Sequence, residues 1–453
     1  MANTADTLGE QETLDGLVAH TLEDFEDDRI TNVRQYAFYH NDVLKSVNLP
    51  NATNIGSSAF QNCPNLETVI MPMVKSLPSY MFQSCYKLKT LNIPNVINTS
   101  LNIFQHCYSL NNLDLTNITT IASNTLDQTG LGTLVLPNAS SIGVYTGGGA
   151  RTSTIDLSKN ITINTNRFCS AYSLVHLILR SDTLCSFSNT TAFMSTPIAN
   201  GLGWIYVPSD LVESYKTASN WSAYADQIVS IDEYPKALSG ETITDSWDEI
   251  FQAEDNDSYK TKYSVGDTKY LVIGGTYVLM QIIAFDRDVL SSDHTSTAKI
   301  TWLAKSLSFK FPMNFKSDTT GGWADCECRK FLSDTIYEQI PENVRNKIVT
   351  VDKTYTATSL SSSTATVSDK LWIPSAREIY GGSSYENTGI DYTDFFTGSS
   401  VRIKHNGLLT NSASAWWLRS VNNSTSFRSV YSDGGVNYSS ATSVYGFPLG
   451  FCT

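Results

Sequence analysis

Phe38, Phe60, Phe82 and Phe104 stand twenty-two residues apart, and Leu126 continues the series. The same interval separates Leu44, Leu66, Leu88 and Leu110, then Val47, Val69, Leu91 and Leu113, then Leu49, Met71, Ile93 and Leu115. Four registers on one period leave few folds open. Each unit has an apolar face too small to bury by itself, so the units must stack and cover one another. Within a unit, the phrases LKSVNLP, LETVIMP and LKTLNIP alternate apolar and polar residues, which predicts a short strand with one face inward. The phrase SSAFQNC predicts a short helical or turn element that delivers Phe60 and Cys63 to the same core. Pro50, Pro72 and Pro94 close three units, and asparagines populate the connections, where tight turns favour them.

A period in the twenties with a Leu-x-x-Leu-x-Leu-like pattern is that of a leucine-rich-repeat solenoid. The phrase IGSSAFQNC-x-x-L resembles the BspA-type leucine-rich repeats of bacterial surface proteins and phage structural proteins. The resemblance runs from Thr31 to Tyr234, degrades after Leu136 and resurfaces at RFCSAYSLVHLIL. The stretch GWIYVPSDLVESYKTASNWSAYADQIVSI predicts a closing cap, with Trp204, Val207, Leu211, Tyr215 and Trp221 covering the last open unit. The solenoid is expected to be a spacer, a partner surface, or both.

The chain has 453 residues, enough for more than one core. Only 17% of residues are charged; Ser, Thr, Asn and Tyr take their place, a mixture suited to β-rich folds. The net charge of −13 and the lack of any basic run argue against a nucleic-acid partner. Glu23, Asp24, Glu26, Asp27 and Asp28 make an acidic segment over 1–30, read as a solvated helix or tail. No apolar run is long enough for membrane insertion. The start, Met1 to Asp6, has neither the basic end nor the apolar core of a secretion signal, so an exterior role would need another route, such as virion assembly and lysis. Cys63, Cys85 and Cys107 share one repeat position and read as core thiols, in keeping with a reducing compartment. No HExxH, P-loop or GxSxG motif occurs, and the histidines lack metal-ligand spacing. A non-enzymatic protein with no cofactor and no metal is expected.

Pro235, Gly240 and the loss of periodicity predict a linker over 235–245. The remainder, 246–453, predicts one α+β domain. SWDEIFQA opens a helix, YLVIGGTYVLMQIIAFD gives two strands across Gly274 and Gly275, and KITWLAKSL adds a third apolar stretch. Cys328, Phe331, Leu332, Ile336 and Ile340 have helical spacing, which Pro341 ends. SLSSSTATVSD is read as a polar loop, and KLWIPSAREIYGG and AWWLRS as short strands.

The last forty residues are the candidate binding face. Phe427, Val430, Val436, Ala441 and Tyr445 are expected to anchor it, with a hairpin turn at Asp433, Gly434 and Gly435. Between the anchors lie the candidate ligand-binding residues Asn422, Asn423, Ser424, Ser426, Arg428, Ser429, Tyr431, Asn437, Tyr438, Ser440 and Ser443. Tyr with Ser and Asn is the vocabulary of antibody paratopes: rigid contact area plus adaptable hydrogen bonds. Arg428 suits a carboxylate or an aromatic face. The bland alternatives are a flexible polar loop and a solvated strand without a partner. Trp416 and Trp417 could serve as ligand platforms, although at least one is expected in the core.

The phrases GGW, LSDTIYEQIPENVRNKI, LWIPSAREI, WWLRS and YGFPLGFC, in that order, resemble a C-type-lectin-like domain family of phages and gut bacteria. Its wider class includes variable proteins diversified by retroelements, in which AAC codons are randomised at their adenines. Such a codon never yields Lys, Glu, Gln, Met or Trp, and none of the five occurs from Val421 to Thr453. The resemblance therefore implies a variable region over 416–453. It further implies a receptor-binding protein on a phage tail or another exposed virion structure, with a host or bacterial cell-surface protein or glycan as partner and a homotrimer as assembly. A bacterial surface adhesin of the same architecture is the alternative. The class also holds oxidoreductases resembling the formylglycine-generating sulfatase activators. Cys326 and Cys328 are the only tempting pair for that chemistry, and on a helix residues two apart face different ways. Calcium-dependent sugar binding is disfavoured, since Asp433 is the only carboxylate in the last segment.

Overall fold

The computed structural model describes residues 7–8, 21–149, 151–356, 364–382 and 388–453. Residues 1–6 and 9–20 of the expected acidic segment, and 359–363 of the expected polar loop, lie outside the described residues. The chain divides into two compact units, Met1–Leu238 and Ser239–Thr453.

The first unit is a parallel solenoid with two strand positions per repeat. Asp24–Glu26, Ser46–Asn48, Thr68–Ile70 and Thr90–Asn92 form one sheet, in which Ser46 pairs with Thr68 and Thr68 with Thr90. Ser76–Leu77, Asn98–Thr99, Thr120–Ile121 and Ser141–Ile142 form a second. The SSAFQNC element is a turn, not a helix, and its backbone explains why. Residues four apart adopt positive φ in repeat after repeat: Tyr36 and His40, Ser58 and Asn62, Tyr80 and Ser84, Asn102 and His106. Each such residue costs roughly 1–2 kcal/mol outside glycine. The twist turns alternate N–H groups toward the next repeat, so that Tyr36, Phe38 and His40 donate to the carbonyls of Ser57, Ala59 and Gln61 at 3.3, 2.7 and 3.0 Å. A helix would spend those donors on itself.

The core repeats with the backbone. The rings of Phe38, Phe60, Phe82 and Phe104 stack at 5.0, 5.6 and 5.8 Å between centroids. The thiols of Cys63, Cys85 and Cys107 donate to the carbonyls of Phe38, Phe60 and Phe82. An amide ladder runs Gln61 to Gln83 to Gln105 and ends on Asp127. The repeat architecture does not fade after Leu136: strands Thr133–Leu136, Thr154–Leu157, His176–Leu179 and Trp204–Val207 continue in register and Ile228–Ser230 closes the sheet. Val207, Tyr215 and Trp221 are buried in the capping position, with Leu211 packed beside them. Trp204 is not part of this cap. Strand alternation puts it on the opposite face with Tyr206 and Ile178, and its indole N–H donates to the Ala237 carbonyl.

In the second unit, helix α1 (Trp247–Asp255) starts at a capping box, Ser246 bonding the Glu249 N–H and Glu249 the Ser246 N–H. Strands β1 (Thr268–Ile273) and β2 (Thr276–Phe285) meet across Gly274 and Gly275, at φ 55° and 80°. Positive φ at both central residues is what a tight two-residue hairpin needs. The antiparallel sheet continues through β3 (Ile300–Ala304), and β4 (Phe309–Pro312) begins a second sheet. Helix α2 (Glu327–Phe331) widens into a π turn over Leu332–Ile336 and stops before Pro341. Strands β5 (Val351–Thr356) and β6 (Thr364–Asp369) pair with each other, so the second half of the expected polar loop is a strand. The expected strand at KLWIPSAREIYGG is extended only around Trp372, which exchanges two hydrogen bonds with Gly450. The rest is helix α3 (Ala376–Tyr380), started by a second capping box between Ser375 and Glu378. Strands β7 (Trp416–Asn423), β8 (Ser426–Val430), β9 (Val436–Ser440) and β10 (Val444–Phe447) complete the second sheet in the order β4-β10-β7-β8-β9. Strand β11 (Gly450–Cys452) returns to β3.

Phe82 sits in the middle of the ring stack with no exposed surface. Phe82→Ala should lower the unfolding free energy of the first unit by about 3–5 kcal/mol, and Gln83→Ala, at a half-buried ladder, by about 1 kcal/mol. Denaturant titration read by amide exchange within this unit measures both; similar small losses would show that the ring stack does not hold the repeats.

Candidate binding surface

Strand β7 is the floor of the face. Trp416, Trp417, Leu418 and Arg419 are all buried along it. Both indoles are core residues rather than ligand platforms: Trp416 donates to the Arg402 carbonyl at 3.0 Å and Trp417 to the Phe311 carbonyl at 3.1 Å. Strand β8 pairs with β7 through Trp416–Val430 and Trp417–Ser429, then slips so that Val421 meets Phe427. Strand β9 pairs with β8 and forms the edge of the sheet.

The turn between β8 and β9 is the hairpin expected at Asp433 to Gly435. Tyr431 donates to the Gly435 carbonyl at 2.7 Å and Gly434 to the Tyr431 carbonyl at 3.0 Å. Gly434 has φ +85°, and a Cβ there would lie 2.4 Å from the Ser399 carbonyl oxygen. The Tyr380 hydroxyl donates to the Gly434 carbonyl at 3.0 Å. The hairpin is therefore docked on the body of the unit.

The residues selected from the sequence fall into three groups. Tyr431 and Tyr438 are 48% and 58% exposed and Ser424 is exposed. Asn422, Asn423, Arg428, Asn437, Ser440 and Ser443 are half-buried. Ser426 and Ser429 are buried, and among the described residues the Ser429 hydroxyl finds no hydrogen-bond partner, so these two belong beneath the face. Asn423 shapes the backbone, because its carboxamide oxygen accepts from the Thr425 N–H and closes the β7–β8 turn. The segment from Asn314 to Thr319 braces the same end, Thr319 donating to the Asn423 carbonyl and Asn314 to the Ala441 carbonyl. Of the expected anchors, Phe427, Val430 and Ala441 are fully buried and Tyr445 is half-buried, its hydroxyl accepting from Ser439. Val436 is instead 37% exposed. It pairs with buried Val430, but among the described residues no further strand lies beyond β9 to cover its outer side.

A buried ionic network that sequence reading missed holds the floor in place. Arg419 on β7 forms a two-pronged pair with Glu378 of α3, both contacts at 2.7 Å, and donates to the carbonyls of Thr354 and Ile373. Lys353 on β5 lies 3.3 Å from Glu378, pairs with Asp288, donates to the Tyr392 hydroxyl and sits 3.4 Å from the centre of the Trp372 ring. Asp288 also accepts from Thr301 and Tyr392. Burial would push both carboxyls up, yet the Arg419 and Lys353 charges hold Glu378 below its usual range, and Lys353 with its hydrogen-bonding neighbours does so for Asp288. The available signal was a charged residue inside each apolar phrase, WWLRS, VDKTY and PSAREI.

Among the described residues no group of three His, Cys, Asp or Glu side chains could hold a metal ion, and no helix is long and apolar enough to cross a membrane. Cys326 and Cys328 are both buried, and burial pushes the Cys326 thiol up to about 12. What the surface offers chemically is contact area and hydrogen bonding: two phenols, an exposed valine and a border of amides and hydroxyls.

Residues 31–146 and 102–201 match the family model of the BspA type leucine rich repeat region, in six copies, so the first unit carries BspA-type repeats. Residues 298–452 match a Domain of unknown function (DUF6273), within a unit whose two main sheets are antiparallel except where β10 runs parallel to β7. Among solved structures the chain is similar to a leucine rich cell surface protein from Faecalibacterium prausnitzii, at 18% identity and a TM-score of 0.27 over 41% of this chain and 69% of that one. It is also similar to a leucine-rich repeat protein from Bacteroides ovatus, at 15% identity and 0.29 over 47% and 67%. The pneumococcal vaccine antigen PcpA aligns at 11% and 0.22 over 46% and 77%. No curated protein matches the chain.

The two network carboxylates set an acid limit. Their folded-state values lie below the ordinary 3.8 and 4.5, so the stability they contribute is present above those values and is lost as pH falls through the lowered ones. Unfolding of the second unit measured between about pH 6 and pH 3 should show stability falling toward acid, with a shallower fall in Glu378→Gln from an already lower start. An equal slope in both proteins would remove Glu378 from this role. Arg419→Met, which strands the buried Glu378 charge, should cost about 3–5 kcal/mol.

Proposed function

We propose that this chain is a non-enzymatic surface-binding protein of adhesin type, in which the BspA-type solenoid carries a recognition face on the second unit. One observation carries the reading. Tyr431, Val436 and Tyr438 are exposed together on a single hairpin whose floor is buried from Trp416 to Val421 and tied by Arg419 and Glu378. Exposed aromatic bodies on a rigid frame are favourable for binding, because little side-chain freedom is lost when they are covered.

The finer reading is a variable protein of the retroelement kind on a C-type-lectin-like scaffold, displayed as a trimer on a phage tail and directed at a host-surface protein or glycan. The residue vocabulary from Val421 to Thr453 supports it, since it is what randomised AAC codons leave. The alternative location is a bacterial surface. Immunolabelling of virions and of cells separates the two. Sequencing the coding segment from related isolates should show changes concentrated at exposed positions such as Tyr431 and Tyr438, with Trp416, Trp417 and Arg419 constant. Changes spread evenly over the unit would overturn diversification.

Tyr431→Ala with Tyr438→Ala should reduce attachment of the labelled protein to its target cells by about tenfold or more, while thermal unfolding stays within about 1 kcal/mol of the parent. Full attachment by the folded double variant would move the binding face elsewhere.

A further inference from the structure

The hairpin presents a backbone as well as side chains. In an antiparallel pair, alternate residues exchange hydrogen bonds across the ladder and the others turn their N–H and C=O outward. The phase of that alternation is fixed at both ends of the β8–β9 pair. Tyr431 donates to the Gly435 carbonyl at one end, and Ala441 donates to the Thr425 carbonyl at the other. The bonded pairs are therefore Phe427 with Ser439 and Ser429 with Asn437. Val436, Tyr438 and Ser440 turn their amides and carbonyls away from β8, and β9 is the edge of its sheet. The Ser440 carbonyl accepts from the Ser443 N–H. Among the described residues, the amides of Val436, Tyr438 and Ser440 and the carbonyls of Val436 and Tyr438 have no protein partner.

Open edges invite pairing, and proteins ordinarily blunt them with Lys, Pro or a bulge. The opposite edge of this same sheet follows the rule: β4 carries Lys310 and ends in Pro312. Strand β9 reads Val-Asn-Tyr-Ser-Ser, with neither charge nor proline, and pairs with β8 without a bulge. Its outward backbone belongs to the residues whose side chains are exposed, Val436 and Tyr438. A glycan or a flat protein face would leave this periodic row of donors and acceptors unmatched. An extended polypeptide matches it, its own spacing being that of the strand.

We propose that β9 is a strand-addition site, and that the partner of the face is an extended, largely uncharged peptide segment that pairs with Val436, Tyr438 and Ser440 as a sixth strand. This rests on the reading of the hairpin as the recognition face and names the kind of molecule it takes. Main-chain bonds supply sequence-tolerant affinity, and Tyr438 with Val436 selects the side chains on one face of the added strand. Such division suits a face whose side chains are exchangeable, because the backbone contacts survive substitution.

The test selects peptides from a library of random linear twelve-residue sequences on the full-length protein. Their affinity is then measured for the parent, Tyr438→Ala and Tyr438→Pro. Both variants lose the phenol, but only the proline removes the outward amide, and that amide takes no part in the ladder to β8. The expected result is binding at least about tenfold weaker for Tyr438→Pro than for Tyr438→Ala, with the amides of Val436, Tyr438 and Ser440 exchanging more slowly in the parent when peptide is bound. Equal losses in the two variants, unchanged exchange, or a library that yields no binder overturns strand addition. So does slowing that depends on protein concentration without peptide, which would make a second copy of the chain the occupant. Should Tyr438→Pro fail to fold, the exchange measurement on the parent decides by itself. If Tyr438→Ala weakens cell attachment and proline adds nothing, the side-chain face stands and the strand-addition site does not.

Discussion

Glu378 is the residue on which the second unit turns. Its carboxylate is buried, and the charges that satisfy it come from other segments, Arg419 from β7 and Lys353 from β5, while the Ser375 N–H at the start of its own helix adds a further bond. A carboxylate removed from water without such partners would cost several kcal/mol, so the segments are held together by the requirement that none leave. Arg419 extends the constraint to the floor of the face through the Thr354 and Ile373 carbonyls. An apolar core of the same volume could be as stable. What the ionic network adds is position: each member accepts its partners in one geometry.

From that floor outward the structure loosens in order. Strand β7 is buried on nearly every residue, β8 on most, and β9 on none. The docked turn at Gly434 and the brace from Asn314 to Thr319 hold the two ends of the last hairpin, so exposure is reached without loss of order at the backbone. A face of this kind tolerates substitution at its tips, since Tyr438 contributes little to the packing that keeps Val430 and Phe427 buried.

The solenoid reaches rigidity by another route. Its turns accept left-handed backbone at residues such as Tyr36, Ser58 and Tyr80, an unfavourable choice for each repeat alone. The return is that three amides per turn bond the next repeat, and the rings of Phe38, Phe60, Phe82 and Phe104 stack in consequence. Local strain is thus tolerated only in the array, and stability resides in the interfaces between units.

The sequence alone determined the solenoid. A twenty-two-residue recurrence of Phe, Leu and Cys has one physical solution, and the buried residues fall where the period put them. It also located the hairpin at Asp433 to Gly435 and the buried anchors Phe427 and Val430, because turn chemistry and alternation are local. Tertiary structure decided the rest. Trp204 lies away from the cap because sheet alternation overruled its place in an aromatic phrase. Val436 is exposed because it lies on the edge strand, which only strand order reveals, and Ser426 and Ser429 are buried on β8, which lies inside the sheet between β7 and β9. Asp288, Lys353, Glu378 and Arg419 are separated by as many as 131 positions, as their numbers show. No local pattern announces that they meet, since a charge in an apolar strand acquires its meaning only when the fold brings its counter-charge to it.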